Sequence, residues 1–198
     1  MNQGIDLRFV RETYRKMSDA ELERVATQDA AGLTPEAREI VQEEIQRRNL
    51  STAILEGVEA QNKTYTVAEI DAYCELLRVL DCPVCGASDV KLNATLTSEV
   101  ISVILFTHRR KELKVACPDC LDKANSGAIA KSAVLGWWGI PWGIVRTVQA
   151  LAANMKSKQT NHIEGPNHYL RSFVLSKIGQ VETYKQDKRK LQEVIAAK

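Results

Sequence analysis

The chain has 198 residues, 44% of them apolar and 26% charged, with 27 Lys and Arg against 25 Asp and Glu. That length holds one well-cored domain or two small ones, and that composition is ordinary for a folded chain, which excludes both a large multi-domain machine and wholesale disorder. A formal charge of +2 excludes a strongly basic nucleic-acid protein and a supercharged acidic one. Met1 is followed by a polar, charged stretch without an apolar core, so a secretory signal peptide is not expected. A cytoplasmic location follows as the expectation, and the five cysteines read as reduced thiols or metal ligands rather than as a disulfide frame.

Charge divides the chain. Residues 1–63 hold 9 basic and 12 acidic side chains, whereas Thr107 to Lys158 hold 9 basic and only 3 acidic. The expected fold is α+β and predominantly α. It comprises a helical module at 1–63, a metal ribbon with a preceding helix at 64–127, an apolar Trp-rich helical hairpin at 128–158, and a C-terminal helix at 159–198.

In the first module Ser18 and Glu21 stand at capping-box spacing, and Thr34-Pro35-Glu36 combines a threonine cap, a proline at the first helical position and a carboxylate against the positive helix end. Ala37, Ile40, Val41 and Ile45 then recur at helical spacing, with Glu43, Glu44, Arg47 and Arg48 expected to face water. Thr66 and Glu69 repeat the box before a third helix on which Cys74 joins the apolar stripe as a core residue. The stretch from Met17 to Leu50, with Ser-Asp-Ala-Glu-Leu, then Leu-Thr-Pro-Glu-Ala and a helix ending in two arginines, resembles a segment of bacterial proteins of unknown function. That resemblance implies no activity.

Cys82-Pro-Val-Cys85-Gly86 and Cys117-Pro-Asp-Cys120 are two copies of one knuckle. A two-residue gap lets both thiolates of a pair point at one ion, and Gly86 suits the positive φ that closes such a turn. Two pairs supply the four-sulfur tetrahedron preferred by Zn²⁺, with no position left open for substrate. One structural Zn²⁺ held by Cys82, Cys85, Cys117 and Cys120 is therefore expected. An iron or iron–sulfur centre fits the same ligands, and a redox pair is disfavoured because neither knuckle lies in a βαβ pattern. A β-hairpin or meander is expected between the knuckles, with strands at 90–97, 100–108 and 112–116, which leaves Arg109, Arg110, Lys111 and Lys114 as a basic ribbon tip able to contact an anionic partner such as RNA or the ribosome.

Ser132 to Val145 is uncharged over 14 residues, too short to span a bilayer core. Gly136, Gly139, Pro141 and Gly143 interrupt it, so a helical hairpin is expected with Trp137, Trp138 and Trp142 at its tip and Ile144, Val145, Val148, Leu151, Ala152 and Met155 as the apolar face of the second arm. Three readings stay open. The hairpin is an interfacial membrane element, a buried core element, or an exposed tip that docks a protein or RNA. The whole unit from Cys82 to Asn154, two C-P-x-C knuckles followed by Gly-Trp-Trp-Gly-Ile-Pro-Trp-Gly and an amphipathic arm, resembles a family of bacterial zinc-ribbon proteins of unknown function. The resemblance implies an architecture and no chemistry.

His162-Ile-Glu164 has the H-x-E spacing of zinc deaminases, but there it precedes the cysteine pair, and no phosphate-binding glycine loop or nucleophile elbow is present. No enzyme activity and no small-molecule substrate are expected. The last segment, from Leu170 to Ile195, reads as one amphipathic helix weakened at Gly179 by about 1 kcal/mol relative to Ala. The expected function is that of a non-enzymatic binding or adaptor protein with a protein partner. The alternatives are peripheral membrane attachment by the Trp-rich hairpin, and nucleic-acid or ribosome binding by the basic ribbon tip together with the basic tail of Lys185, Lys188, Arg189 and Lys190.

Overall fold

The computed structural model describes residues 6–103, 106–138 and 142–197. The described chain is mostly helical with one small antiparallel sheet, in line with the expected α+β, predominantly α class. It divides into two compact units. One comprises the residues up to Thr66 together with Ser176–Val194, the other Val67–Leu175 with the residues after Val194.

The first unit contains α1 (Leu7–Lys16), α2 (Asp19–Arg24), a π turn over Val25–Asp29, α3 (Pro35–Arg47) and α4 (Thr52–Ala60), joined by α9 (Ile178–Thr183) and most of α10 (Lys188–Ala196). The expected caps form: the Ser18 hydroxyl accepts from the Glu21 amide while the Glu21 carboxylate accepts from the Ser18 amide at 2.8 Å, and Thr34 caps α3. Leu22, Val25, Ala26, Val41, Ile45, Ile54 and Val58 make the core.

Glu44 and Arg48 do not face water as expected. Glu44 is only 4% exposed, because Arg48 turns back over the end of α1 and donates to the carbonyls of Tyr14, Arg15 and Met17 as well as to Glu44. The carboxylate thus balances a guanidinium that satisfies three helix-end carbonyls. The C-terminal segment also differs from a single helix: α8 (His168–Ser176), α9 and α10 follow one another with breaks at Lys177 and Tyr184. Gly179 is placed by contact, since a Cβ there would collide with the Thr27 carbonyl and the Gln61 amide.

The second unit begins with α5 (Val67–Arg78), where Cys74 is buried as expected and burial, helped by Asp71, pushes its thiol up to about 12. A loop carries the first knuckle into β1 (Asn93–Val103), which pairs with β2 (Phe106–Ala116) in one continuous register from Asn93↔Ala116 to Val103↔Phe106. Of the hairpin and the meander expected, a hairpin forms, its two long strands taking the place of three short runs, and Arg109, Arg110, Lys111 and Lys114 lie along β2 rather than at a tip. Then come α6 (Pro118–Leu135) and α7 (Trp142–Lys158), an antiparallel pair packed against each other and against β1. Gly139 and Pro141, expected to break the pair, lie outside the described residues.

The Arg47 hydrogen bond and the Arg48 contacts outweigh burial and hold the Glu44 carboxyl at about 2, down from 4.5. A depressed folded-state pKa adds stability above about pH 4.5 that is lost as the pH falls toward 2. Denaturant unfolding of wild type and Glu44→Gln across that range should show a shallower acid loss in the variant. Arg48→Ala, which leaves Glu44 with Arg47 alone and removes the donor to the carbonyls of Tyr14, Arg15 and Met17, should cost about 3 kcal/mol at neutral pH.

Candidate metal centre and exposed hairpin

Local backbone geometry builds the knuckles. The Cys82 amide donates to the Ala87 carbonyl at 2.8 Å and the Gly86 amide to the Cys82 carbonyl at 2.9 Å, closing a turn in which Gly86 has φ +75°. An L side chain would be strained there, so the glycine is a requirement of the turn. The second knuckle sits where β2 hands over to α6: Cys117 is the N-cap residue, Pro118 opens the helix, and the Leu121 amide donates to the Cys117 carbonyl at 3.0 Å. The ladder pair Asn93↔Ala116 holds the two knuckles side by side at the base of the hairpin.

The four sulfurs of Cys82, Cys85, Cys117 and Cys120 all lie within 4.8 Å of one another. A tetrahedral ion bound through bonds of ~2.3 Å requires sulfurs about 3.8 Å apart, and Cys85 and Cys117 stand at 3.7 Å. Three of the four cysteines are buried. Burial opposes ionisation of Cys82, but the amides of Cys117, Cys85 and Val84 donate to its sulfur and bring the thiol down to about 7. Cys117 and Cys120 are pushed upward, first by burial and then by hydrogen bonding to the neighbouring cysteine sulfurs. Thiolates that repel one another in a dry pocket are what a cation resolves. The four cysteines are positioned to bind one metal ion.

The helical pair shows an arrangement opposite to the one expected. Along α7 the buried residues are Gly143, Thr147, Ala150, Asn154 and Ser157, whereas Ile144, Val145, Val148 and Met155 are exposed. On α6 the buried line runs through Asn125, Ala128 and Ser132 to Gly136. Small and polar residues face inward because the helices cover the free edge of β1. Asn154 accepts from the Ser98 amide at 3.0 Å and donates to the Ser98 carbonyl at 2.7 Å. The Ser132 hydroxyl accepts from the Val100 amide at 3.0 Å, and Asn167 donates to the Ala94 carbonyl. Thr95 and Asn161 donate in turn to Asn125 at 2.9 and 3.0 Å. Periodicity had assigned none of these residues a role; their three- and four-residue spacing along α7 is the signal that would have found them.

Close approach requires glycine near the tip. A Cβ on Gly143 would lie 2.8 Å from the Gly136 carbonyl and 2.9 Å from the Ser102 hydroxyl. The ends of the helical pair and of the β-hairpin therefore touch, at the far end of the ladder from the cysteines. Trp137, Trp138 and Trp142 are 41%, 70% and 64% exposed there, so they are not the core residues that one reading made them. Trp137 and Trp138 each donate the indole N–H to a carbonyl one turn back, at Ala133 and Val134. That leaves their ring faces to the surroundings.

The basic residues of β2 are divided between its two faces. Arg110 and Lys114 each lie 3.6 Å from Glu112, while Arg109 reaches Ser98 and Gln149 on the other face. Among the described residues no helix is long and apolar enough to cross a membrane. Comparison with family models, curated proteins and solved structures finds no match; the cysteine cluster supports a metal site and no more.

Elemental analysis of the purified protein should find one metal ion per chain, none in Cys82→Ser or Cys117→Ser, and an unchanged content in Cys74→Ser. Because the ion is then lost altogether, either ligand variant should forfeit most of the ~12 kcal/mol that such a site supplies and melt far below the wild type.

Proposed function

We propose that this chain is a non-enzymatic protein that attaches to a membrane surface through the joined ends of its two hairpins, with a structural Zn²⁺ held in a ribbon by Cys82, Cys85, Cys117 and Cys120. The observation that carries the reading is the orientation of α7: it buries Gly, Thr, Ala, Asn and Ser and turns Ile144, Val145, Val148 and Met155 outward. A helix surrounded by water packs the other way. Small residues at a helix contact and apolar side chains outside it are the pattern of helices packed in lipid. The stripe from Ile144 to Met155 is about 17 Å long at 1.5 Å per residue. That suits a helix lying in the interface plane better than one crossing it. Indoles gathered at one end fit the headgroup level, where an apolar ring and a polar N–H are both accommodated.

Zinc is preferred over iron at the four thiolates because the site is a closed knuckle pair that serves as a fold staple. Zn²⁺ meets that need without redox chemistry. The same apolar end fits a protein partner, which is the adaptor reading. Contact with RNA through β2 has weaker support, since Arg110 and Lys114 share Glu112 and Arg109 is engaged within the fold.

All three tryptophans of the chain lie at the proposed contact, so intrinsic fluorescence reports on it directly. Titration with phospholipid vesicles should shift the emission to the blue and carry the protein into the vesicle pellet. Trp138→Ala with Trp142→Ala should weaken binding at least tenfold, as expected for the loss of two interfacial indoles worth ~1 kcal/mol or more each. Unshifted emission and an empty pellet at millimolar lipid would refute the attachment.

A further inference from the structure

We infer that the attached surface selects anionic lipid, whose headgroup phosphates are read by a basic band of Lys111, Arg146 and Lys156 beside the apolar stripe of α7, with Arg109 joining β2 to α7 from within the fold; the inference rests on the membrane-attachment reading above. The band follows from the register. Arg109 and Lys111 pair with Val100 and Ser98, so the two cations project from one face of the hairpin. On that face β1 contributes Ala94, Leu96, Ser98, Val100 and Ser102, and no carboxylate. Glu99 and Glu112 both belong to the opposite face, where they pair with Lys131 at 3.1 Å and with Arg110 and Lys114.

α7 continues the band. Arg109 donates to Gln149 at 3.4 Å, which brings the basic face of β2 against the α7 side that also carries Arg146 and Lys156, exposed at helical spacings of three and seven from Gln149. From Trp142 to Lys158 the helix contains three basic residues and no Asp or Glu. Glu99 and Glu112 are thus kept off the side of α7 that borders the apolar stripe, and Asp122 meets the helix at its last residue, Lys158, at 3.7 Å. Basic residues flanking an interfacial apolar face gain from the negative potential of an anionic leaflet, and that gain is screened by salt.

The experiment compares full-length, metal-loaded protein on vesicles of phosphatidylcholine alone and on vesicles with about one-third phosphatidylglycerol, at low and moderate salt. Each basic residue near an anionic surface strengthens binding about fivefold. Three of them should produce at least a 20-fold preference for the anionic vesicles that shrinks as salt rises. The exposed double variant Lys111→Gln/Lys156→Gln, which removes no hydrogen bond among the described residues, should lose most of that preference and keep the tryptophan blue shift on neutral lipid. Equal binding to both vesicles, or a variant that retains the full preference, overturns the anionic selection and leaves the attachment standing. Absence of a blue shift on either vesicle overturns the attachment and this inference together.

Discussion

The side chain of Asn154 governs how the second unit is assembled. Its amide oxygen takes the Ser98 N–H and its amide nitrogen gives a hydrogen to the Ser98 carbonyl, as a neighbouring strand would. Among the described residues β1 has one strand partner, so its outer edge would otherwise leave backbone donors and acceptors buried without partners, at about 1–3 kcal/mol each. Helices cannot extend a sheet with their own backbone, whose groups are already used within the helix. They can do so only with side chains, and Asn154, Ser132 and Asn167 perform that role at Ser98, Val100 and Ala94. Once those residues must point inward, the face of α7 that contacts β1 is settled, and its aliphatic residues are left on the outside.

This explains where hydrophobic periodicity failed. The rule that the apolar face of a helix is the buried face assumes that the opposing surface is itself apolar. Here it is a strand edge that demands hydrogen bonds, so the stripe of Ile144, Val148 and Met155 and the stripe of Gly143, Thr147 and Asn154 exchange places. The cysteines were legible because two-residue spacing is a local geometric requirement, and the sulfurs meet as the spacing indicated. The Ser18 and Thr34 caps were legible for the same reason. The strand limits were not: the run through 100–108 is apolar without a break, so the basic residues were assigned to a tip and instead lie along β2. Glu44 and Arg48 were read as solvated because their importance depends on the carbonyls of α1, more than 25 residues away in sequence.

The metal centre and the exposed end occupy opposite ends of one ladder. The base pair Asn93↔Ala116 adjoins the knuckles, and the pair Val103↔Phe106 lies ten steps further along, about 33 Å at the rise of an extended strand. Because α6 starts from Cys117 itself, the ligand set also fixes where that helix begins and the direction in which it leaves. Closing the base therefore aligns three elements together: both strands and the first arm of the helical pair.

That alignment bears on the cost of the exposed face. Fully burying an Ile, Val or Met side chain contributes about 1.5–3 kcal/mol, so four such residues left roughly half exposed forgo several kcal/mol of stability in water. A small polar interface cannot replace that amount, since each of its hydrogen bonds nets only about 1 kcal/mol. A four-thiolate metal site contributes on the order of ten kcal/mol, enough to hold the fold while its other end keeps an apolar surface. The staple and the exposed tip are in this sense one design. Stability supplied at the base leaves the tip apolar, so that the free energy of covering it is released when it meets lipid rather than when the chain folds.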